Sequence, residues 1–153
     1  MRRVVLGPGT AGDTVVDDGE PPVVHSSASL GLPSGFCWAE IWATDGAELR
    51  TGDATTAFEG FELPGPGAVY FKYGVFPPMA APAVMHRTPT VDYVTIVSGE
   101  IELATEDGST TVLRAGDTAV QLAGLHSWWN RSSTDCVMTV VMVGVDPATS
   151  RQG

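Results

Sequence analysis

The sequence predicts an all-β fold, a sandwich or barrel of short strands, and three observations carry that prediction. Glycine and proline are frequent, at 18 and 11 of 153 residues, which favours many short elements joined by turns over long helices. Short apolar or alternating runs recur along the chain, separated by turn signals such as Ser98-Gly99, Asp107-Gly108 and Gly116-Asp117. No stretch has a convincing helical period, and no repeat of solenoid length is present. The length suits one domain with a real core, and a hydrophobic content of 43% argues against disorder.

In chain order, Val4 to Leu6 reads as an edge strand ended by Gly7-Pro8-Gly9. Thr14 to Val16 is a second apolar patch, followed by an acidic turn at Asp17-Asp18-Gly19-Glu20. Pro21-Pro22 leads into Val23-Val24-His25, and Ser26 to Gly35 reads as a loop. Phe36 to Thr44 is the best strand of the first half, with Phe36, Trp38 and Glu40 on one face and Cys37, Ile41 and Ala43 on the other. Residues 45–67 read as a long loop, with an irregular strand near Phe58 to Leu63. Ala68 to Phe76 is a strand stopped by Pro77-Pro78, and Met79 to Val84 is an apolar connection. Tyr93 to Val97, Ile101 to Ala104, Thr110 to Leu113 and Thr118 to Leu122 are strands, with a hairpin at Asp107-Gly108, a pair that tolerates positive φ. Ser127 to Asn130 leads into a polar turn, Arg131 to Asp135. Val137 to Val143 is continuously apolar and is expected to be buried on both faces.

Net charge is −10, a surface that repels phosphate backbones and anionic lipid, so neither nucleic acid nor membrane is an expected partner. Lysine is nearly absent and the positive charges are mostly arginine. Cys37 and Cys136 are far apart with no C-x-x-C, which reads as two buried thiols in a reducing cytosol, with a disulfide as the alternative. The start, Met-Arg-Arg-Val-Val-Leu-Gly, has too short an apolar run for a signal peptide, and no run approaches the ~20 residues of a membrane span. The expected location is therefore cytoplasmic.

The stretch from Met85 to Asn130 resembles the cupins. Their first motif reads G-x5-H-x-H-x(3,4)-E-x6-G, and here it stands as His86-x-Thr88-x3-Asp92-x6-Gly99. Their second reads G-x5-P-x-G-x2-H-x3-N, and here it stands as Gly116-x9-His126-x3-Asn130. The resemblance implies a cupin-type double-stranded β-helix barrel, jelly-roll-like, at residues 46–146. Residues 1–45 form an N-terminal strand extension in that reading, and 147–153 a frayed tail. Such extensions in cupins commonly add strands, often across a dimer. The strand around Trp38 and Trp42 carries more aromatic surface than a free edge should expose, so a homodimer through it is expected.

In metal-binding cupins the two histidines and the acid of the first motif hold the metal together with the histidine of the second. This chain departs from that pattern. The second histidine is Thr88, the glutamate is Asp92, the proline position is Leu122, and the gap to His126 is one residue short. What remains is His86, Asp92 and His126, a two-histidine, one-carboxylate set suited to Fe(II), and also to Zn, Mn or Ni. The other reading is that the histidines are structural or act without metal. Asp92 and His126 are then a candidate acid/base pair.

Around this set, Thr88 leaves a place for water or substrate. Gln121 is a substitute ligand, a substrate contact or a solvent-facing amide. Trp128 walls the cavity or is plain core, Trp129 faces outward against the second sheet or a partner, and Tyr93 points away from Asp92 into packing. Lys72 is either a solvent-facing lysine or a pocket lysine for a substrate carboxylate. Arg87 binds a substrate anion at the mouth or is simply solvated. His25 is expected to be exposed or capping. Three functions follow. The first is a metal-dependent isomerase, dehydratase or lyase acting on a small oxygenated metabolite, with a dioxygenase as its Fe(II) variant. The second is a metal-free acid/base enzyme, and the third a non-catalytic metabolite-binding module.

Overall fold

The computed structural model describes residues 1–9, 11–21, 23–26, 28, 34–45, 55, 58 and 61–146. Within them the chain forms β1 (Arg3–Gly9), β2 (Gly12–Gly19), β3 (Val23–Ser26), β4 (Cys37–Thr44), β5 (Val69–Phe76) and β6 (Thr90–Ser98). The series continues with β7 (Glu100–Thr105), β8 (Thr110–Arg114), β9 (Thr118–Leu122), β10 (His126–Trp129) and β11 (Cys136–Gly144). A six-stranded sheet runs in the order β3-β4-β5-β11-β6-β9, a three-stranded sheet is β10-β7-β8, and β1-β2 is a separate ribbon. All of these pairings are antiparallel. The all-β expectation is met, and no helix among the described residues is long and apolar enough to cross a membrane.

Alternation along each strand turns every second residue inward, and the cross-strand register aligns these residues into rows. The first row is Trp38, Gly74, Met138 and Ile96. The second is Glu40, Lys72, Val140, Val94 and Ala119. The third is Ala43, Tyr70, Met142, Asp92 and Gln121. Ile101, Leu113 and Trp128 of the small sheet pack against the same core. Each fully buried Ile, Val or Met contributes about 1.5–3 kcal/mol, and these side chains must offset the polar groups placed among them.

Several sequence expectations change. Ala43 joins Trp38 and Glu40 on the inner face, because a register shift between Glu40 and Trp42 flips the alternation. β1 continues through Gly7-Pro8-Gly9, and Asp17-Asp18-Gly19 belongs to β2 instead of a turn, since each segment pairs with the other. Arg2 with Asp18, and Arg3 with Asp17, fasten that ribbon across its strands. β11 is fully buried on one face only; Val137, Thr139, Val141 and Val143 on the other are half-buried. Phe58 and residues 61–67 form no strand. Most of the rest of that loop, most of the Ser26–Gly35 loop and the tail from residue 147 lie outside the described residues.

The strand on which a dimer was expected, β4, pairs with β3 on one side and β5 on the other. β3 pairs along the outer edge of β4, and Trp38 is turned into the core. Trp42 lies under the Arg3 guanidinium, 5.8 Å from its ring, and Arg3 also donates to the Ile41 carbonyl at 2.9 Å. Both cysteines are free, and burial pushes the Cys136 thiol up to about 11.

Gly74 is required by this packing. A Cβ there would stand 2.4 Å from Cζ3 of Trp38, whose ring also stacks with Phe36 and meets Phe76 edge-on. Gly74→Ala is expected to cost about 1–3 kcal/mol through overpacking. Urea unfolding measures this directly. A midpoint equal to the parent's would mean that the indole does not occupy the glycine's space.

Candidate functional site

His86 and His126 meet because the segment before β6 runs back along β10. Met79 N–H donates to the Asn130 carbonyl at 2.8 Å, Ala83 N–H to Trp128 at 3.0 Å, and Ser127 Oγ to the Ala83 carbonyl at 2.6 Å. The run ends in a reciprocal pair, with His86 N–H on the His126 carbonyl at 2.9 Å and His126 N–H on the His86 carbonyl at 3.0 Å. Directly opposed residues put their side chains on one side of the ladder, and the two ring centroids stand 4.4 Å apart. His126 is buried, whereas His86 stands exposed at the rim. The pair therefore sits where the interior opens to solvent.

The tautomers follow from the partners. His86 Nδ1 is 2.9 Å from the Val84 carbonyl oxygen, and His126 Nδ1 is 3.0 Å from that of Gly124. A carbonyl only accepts, so in each neutral ring Nδ1 carries the proton and Nε2 keeps its lone pair. Backbone-oriented imidazoles of this kind are what a metal or a general base needs. Burial holds His126 below the ordinary histidine range, and His86 adds to that, against the Gly124 hydrogen bond.

Asp92 and Gln121 face each other across β6 and β9. Both are buried, and Asp92 Oδ1 and Gln121 Oε1 have no hydrogen-bond partner. Burial pushes the Asp92 carboxyl up, against the hydroxyls of Thr90 and Thr88 and the charges of His86 and Lys72. The Gln121 amide donates to the Gly124 carbonyl at 3.2 Å, the same oxygen that holds the His126 ring. Gln121 thus turns inward beside His126 and is not the solvent-facing amide. Trp128 walls the interior, meeting His126 edge-on with centroids 6.0 Å apart. Thr88 is buried and accepts from Thr90 Oγ1 at 2.8 Å.

The expected three-residue set does not close. Among the described residues no three His, Cys, Asp or Glu groups converge as a metal site. Asp92 is one methylene shorter than the glutamate of the family pattern and lies against the threonine hydroxyls. Arg87 is turned to the surface, donating to the Ala123 carbonyl at 3.0 Å and lying 3.5 Å from Glu106. Lys72 is fully buried and bound to Glu40, which overturns the solvent-facing reading. His25 is buried too, 3.5 Å from Glu40, so the exposed or capping reading also fails. Sequence reasoning missed the Ala123-Gly124 turn, where Ala123 has φ 52° and Gly124 supplies the shared carbonyl. The sequence held one signal for it, Gly124 two residues before the histidine.

Residues 83–138 match the family of EutQ-like cupin domains. Phomopsin biosynthesis cluster protein C' of Diaporthe leptostromiformis is 41% identical over 75 residues, 49% of this chain and 38% of that protein. The cupin-domain-containing oxidoreductase virC of Hypocrea virens is 39% identical over 46 residues, 30% of this chain and 24% of it. The chain spans well under half the length of these relatives. A Salmonella typhimurium protein provisionally described as ethanolamine utilization protein Q superposes with TM-score 0.53 over 95% of this chain and 98% of its own, at 10% identity. That likeness speaks to the fold alone.

Asp92→Asn tests the electrostatics. A carboxyl whose folded pKa lies above its unfolded one contributes stability at low pH that is lost as pH rises through the folded value. Asparagine removes that loss, so the variant should gain about 1–2 kcal/mol over the parent at pH 7.5 and little at pH 4. Thermal unfolding at both pH values is the check, and a variant less stable at pH 7.5 would contradict the reading.

Proposed function

The chain carries a cupin barrel, and on that premise we propose that its histidine pair is the reaction centre of a small-molecule enzyme. The reading is proton transfer on an oxygenated organic metabolite, as in an isomerase, dehydratase or lyase. The observation that supports it most is the pair of Nε2 lone pairs left free by backbone-held rings at one open end of the interior.

The residues fit a divalent ion in donor chemistry. His86 Nε2, His126 Nε2 and the unpartnered Gln121 Oε1 would hold it, a set in which the glutamine amide oxygen replaces a carboxylate. When bound, an Fe, Zn, Mn or Ni ion supplies Lewis-acid polarisation of a carbonyl or enolate oxygen. Asp92 then serves as the proton carrier. Burial shifts its carboxyl toward the protonated form, and its free Oδ1 is where a proton is given or taken. His126, held neutral by burial, accepts a proton where no ion is present. Trp128, Tyr70 and Met142 give the substrate an apolar wall and keep water out. Two buried carboxylates against one buried lysine disfavour a phosphorylated substrate.

A redox reading of the same centre is favoured by one observation, the oxidoreductase name of a relative that matches 30% of the chain. Fe(II) would then be the ion, and turnover would need O2.

Elemental analysis after reconstitution with each ion tests the proposal. The chain is expected to retain about one ion, with affinity lower by roughly 10–100-fold in Gln121→Ala and lost in His86→Ala and His126→Ala. A parent chain that takes up no ion, or histidine variants that bind as well as the parent, would remove the metal. Turnover insensitive to chelator but lost in Asp92→Asn would then mark the acid/base form.

A further inference from the structure

Lys72 is the chain's sole lysine, and it is 0% exposed. Its place in β5 turns it into the barrel, across from Glu40 on β4 and Val140 on β11. Nζ donates to Glu40 Oε1 at 2.8 Å and to the Glu62 carbonyl at 2.8 Å. Glu40 is also fully buried, yet its second oxygen, Oε2, has no hydrogen-bond partner. His25 stands near the same carboxylate oxygen, with Nε2 3.5 Å from Oε1 and no hydrogen bond on that nitrogen. A purely structural role is poorly served here. A buried ion pair offsets its desolvation only when its remaining lone pairs are bonded, and apolar residues of equal volume often stabilise as well or better.

We infer that Lys72 and Glu40 form a second chemical site in the barrel, one that captures a small aldehyde or ketone as an imine on Nζ. The 2.8 Å hydrogen bond lets one proton move from the ammonium to the carboxylate, leaving a neutral amine beside a carboxylic acid. Burial favours that form on both sides, pushing Lys72 down and Glu40 up. The amine lone pair attacks the carbonyl carbon, and Glu40 gives its proton to the carbonyl oxygen. Glu40 next takes a proton from the nitrogen and returns it to the new hydroxyl, which leaves as water. The product is an iminium ion paired with the Glu40 carboxylate, so the interior keeps its charge balance. Amine and carbonyl become imine and water, with no oxidant or reductant.

Phe61 closes the site. Its ring lies 4.4 Å from Nζ and 6.2 Å from the rings of both His25 and Trp38. The same Phe61 is 45% exposed, so the ring over the amine also meets solvent. The aromatic surroundings select a compact, uncharged carbonyl compound.

The whole chain, incubated with propionaldehyde and cyanoborohydride and mapped by mass spectrometry, provides the test. The exposed Met1 amine is the internal control for the reagents. Lys72 is expected to be alkylated in the folded chain, several-fold faster in Phe61→Ala and about a hundredfold slower in Glu40→Gln. The reaction should persist in His86→Ala, so it stands or falls apart from the histidine centre. Alkylation of Met1 alone, with Lys72 reacting only after unfolding in guanidinium, would overturn the inference. So would equal rates at Lys72 in the parent and a folded Glu40→Gln. Where that variant does not fold, the folded and unfolded parent decide the matter.

Discussion

Two main-chain hydrogen bonds between His86 and His126 determine what the open end of this barrel is. They end a run in which residues 79–86 lie along β10, held by Met79, Ala83 and Ser127. Without that run, the two imidazoles would belong to unrelated segments. With it, each ring is placed opposite the other and each Nδ1 is committed to a nearby carbonyl. The chemistry left to the pair, Nε2 lone pairs on two adjacent rings, is a consequence of backbone pairing. Gly124 extends the effect, because its carbonyl fixes both His126 and Gln121.

The interior pays for its polarity in a graded way. The first inward row is Trp38, Gly74, Met138 and Ile96, and it packs as an ordinary apolar floor. The next two rows admit Glu40, Lys72, Asp92 and Gln121, all buried. Unpartnered buried oxygens destabilise by roughly 1–3 kcal/mol each, so a barrel that keeps Glu40 Oε2, Asp92 Oδ1 and Gln121 Oε1 in that state is not optimised for stability alone. Functional sites are where such departures collect. The charges are also linked, since Lys72 acts on both Glu40 and Asp92.

Much of this was legible from residue order. Asp107-Gly108 and Gly116-Asp117 turn as expected and Asp92 faces in, while Tyr93 points the other way but is exposed at 52% and not packed. Local chemistry decides these features, because a turn needs its own residues and a strand alternates by geometry. The Glu40–Trp42 irregularity was not legible, since a bulge is set by the partner strand. The ribbon of β1 and β2 was misjudged at Asp17-Asp18, where two arginines across the ladder accommodate acids that read as a turn.

The sequence by itself determined the all-β class, the hairpins and the histidine, aspartate and glutamine positions worth attention. These depend on side-chain period and turn preference, which act over a few residues. Only the tertiary structure decided that Lys72 lies buried on Glu40, 32 residues away, and that Gln121 and His126 share one carbonyl. Those outcomes depend on cross-strand register and on which carbonyl each ring can reach. Both are fixed only when the sheets close around a common core.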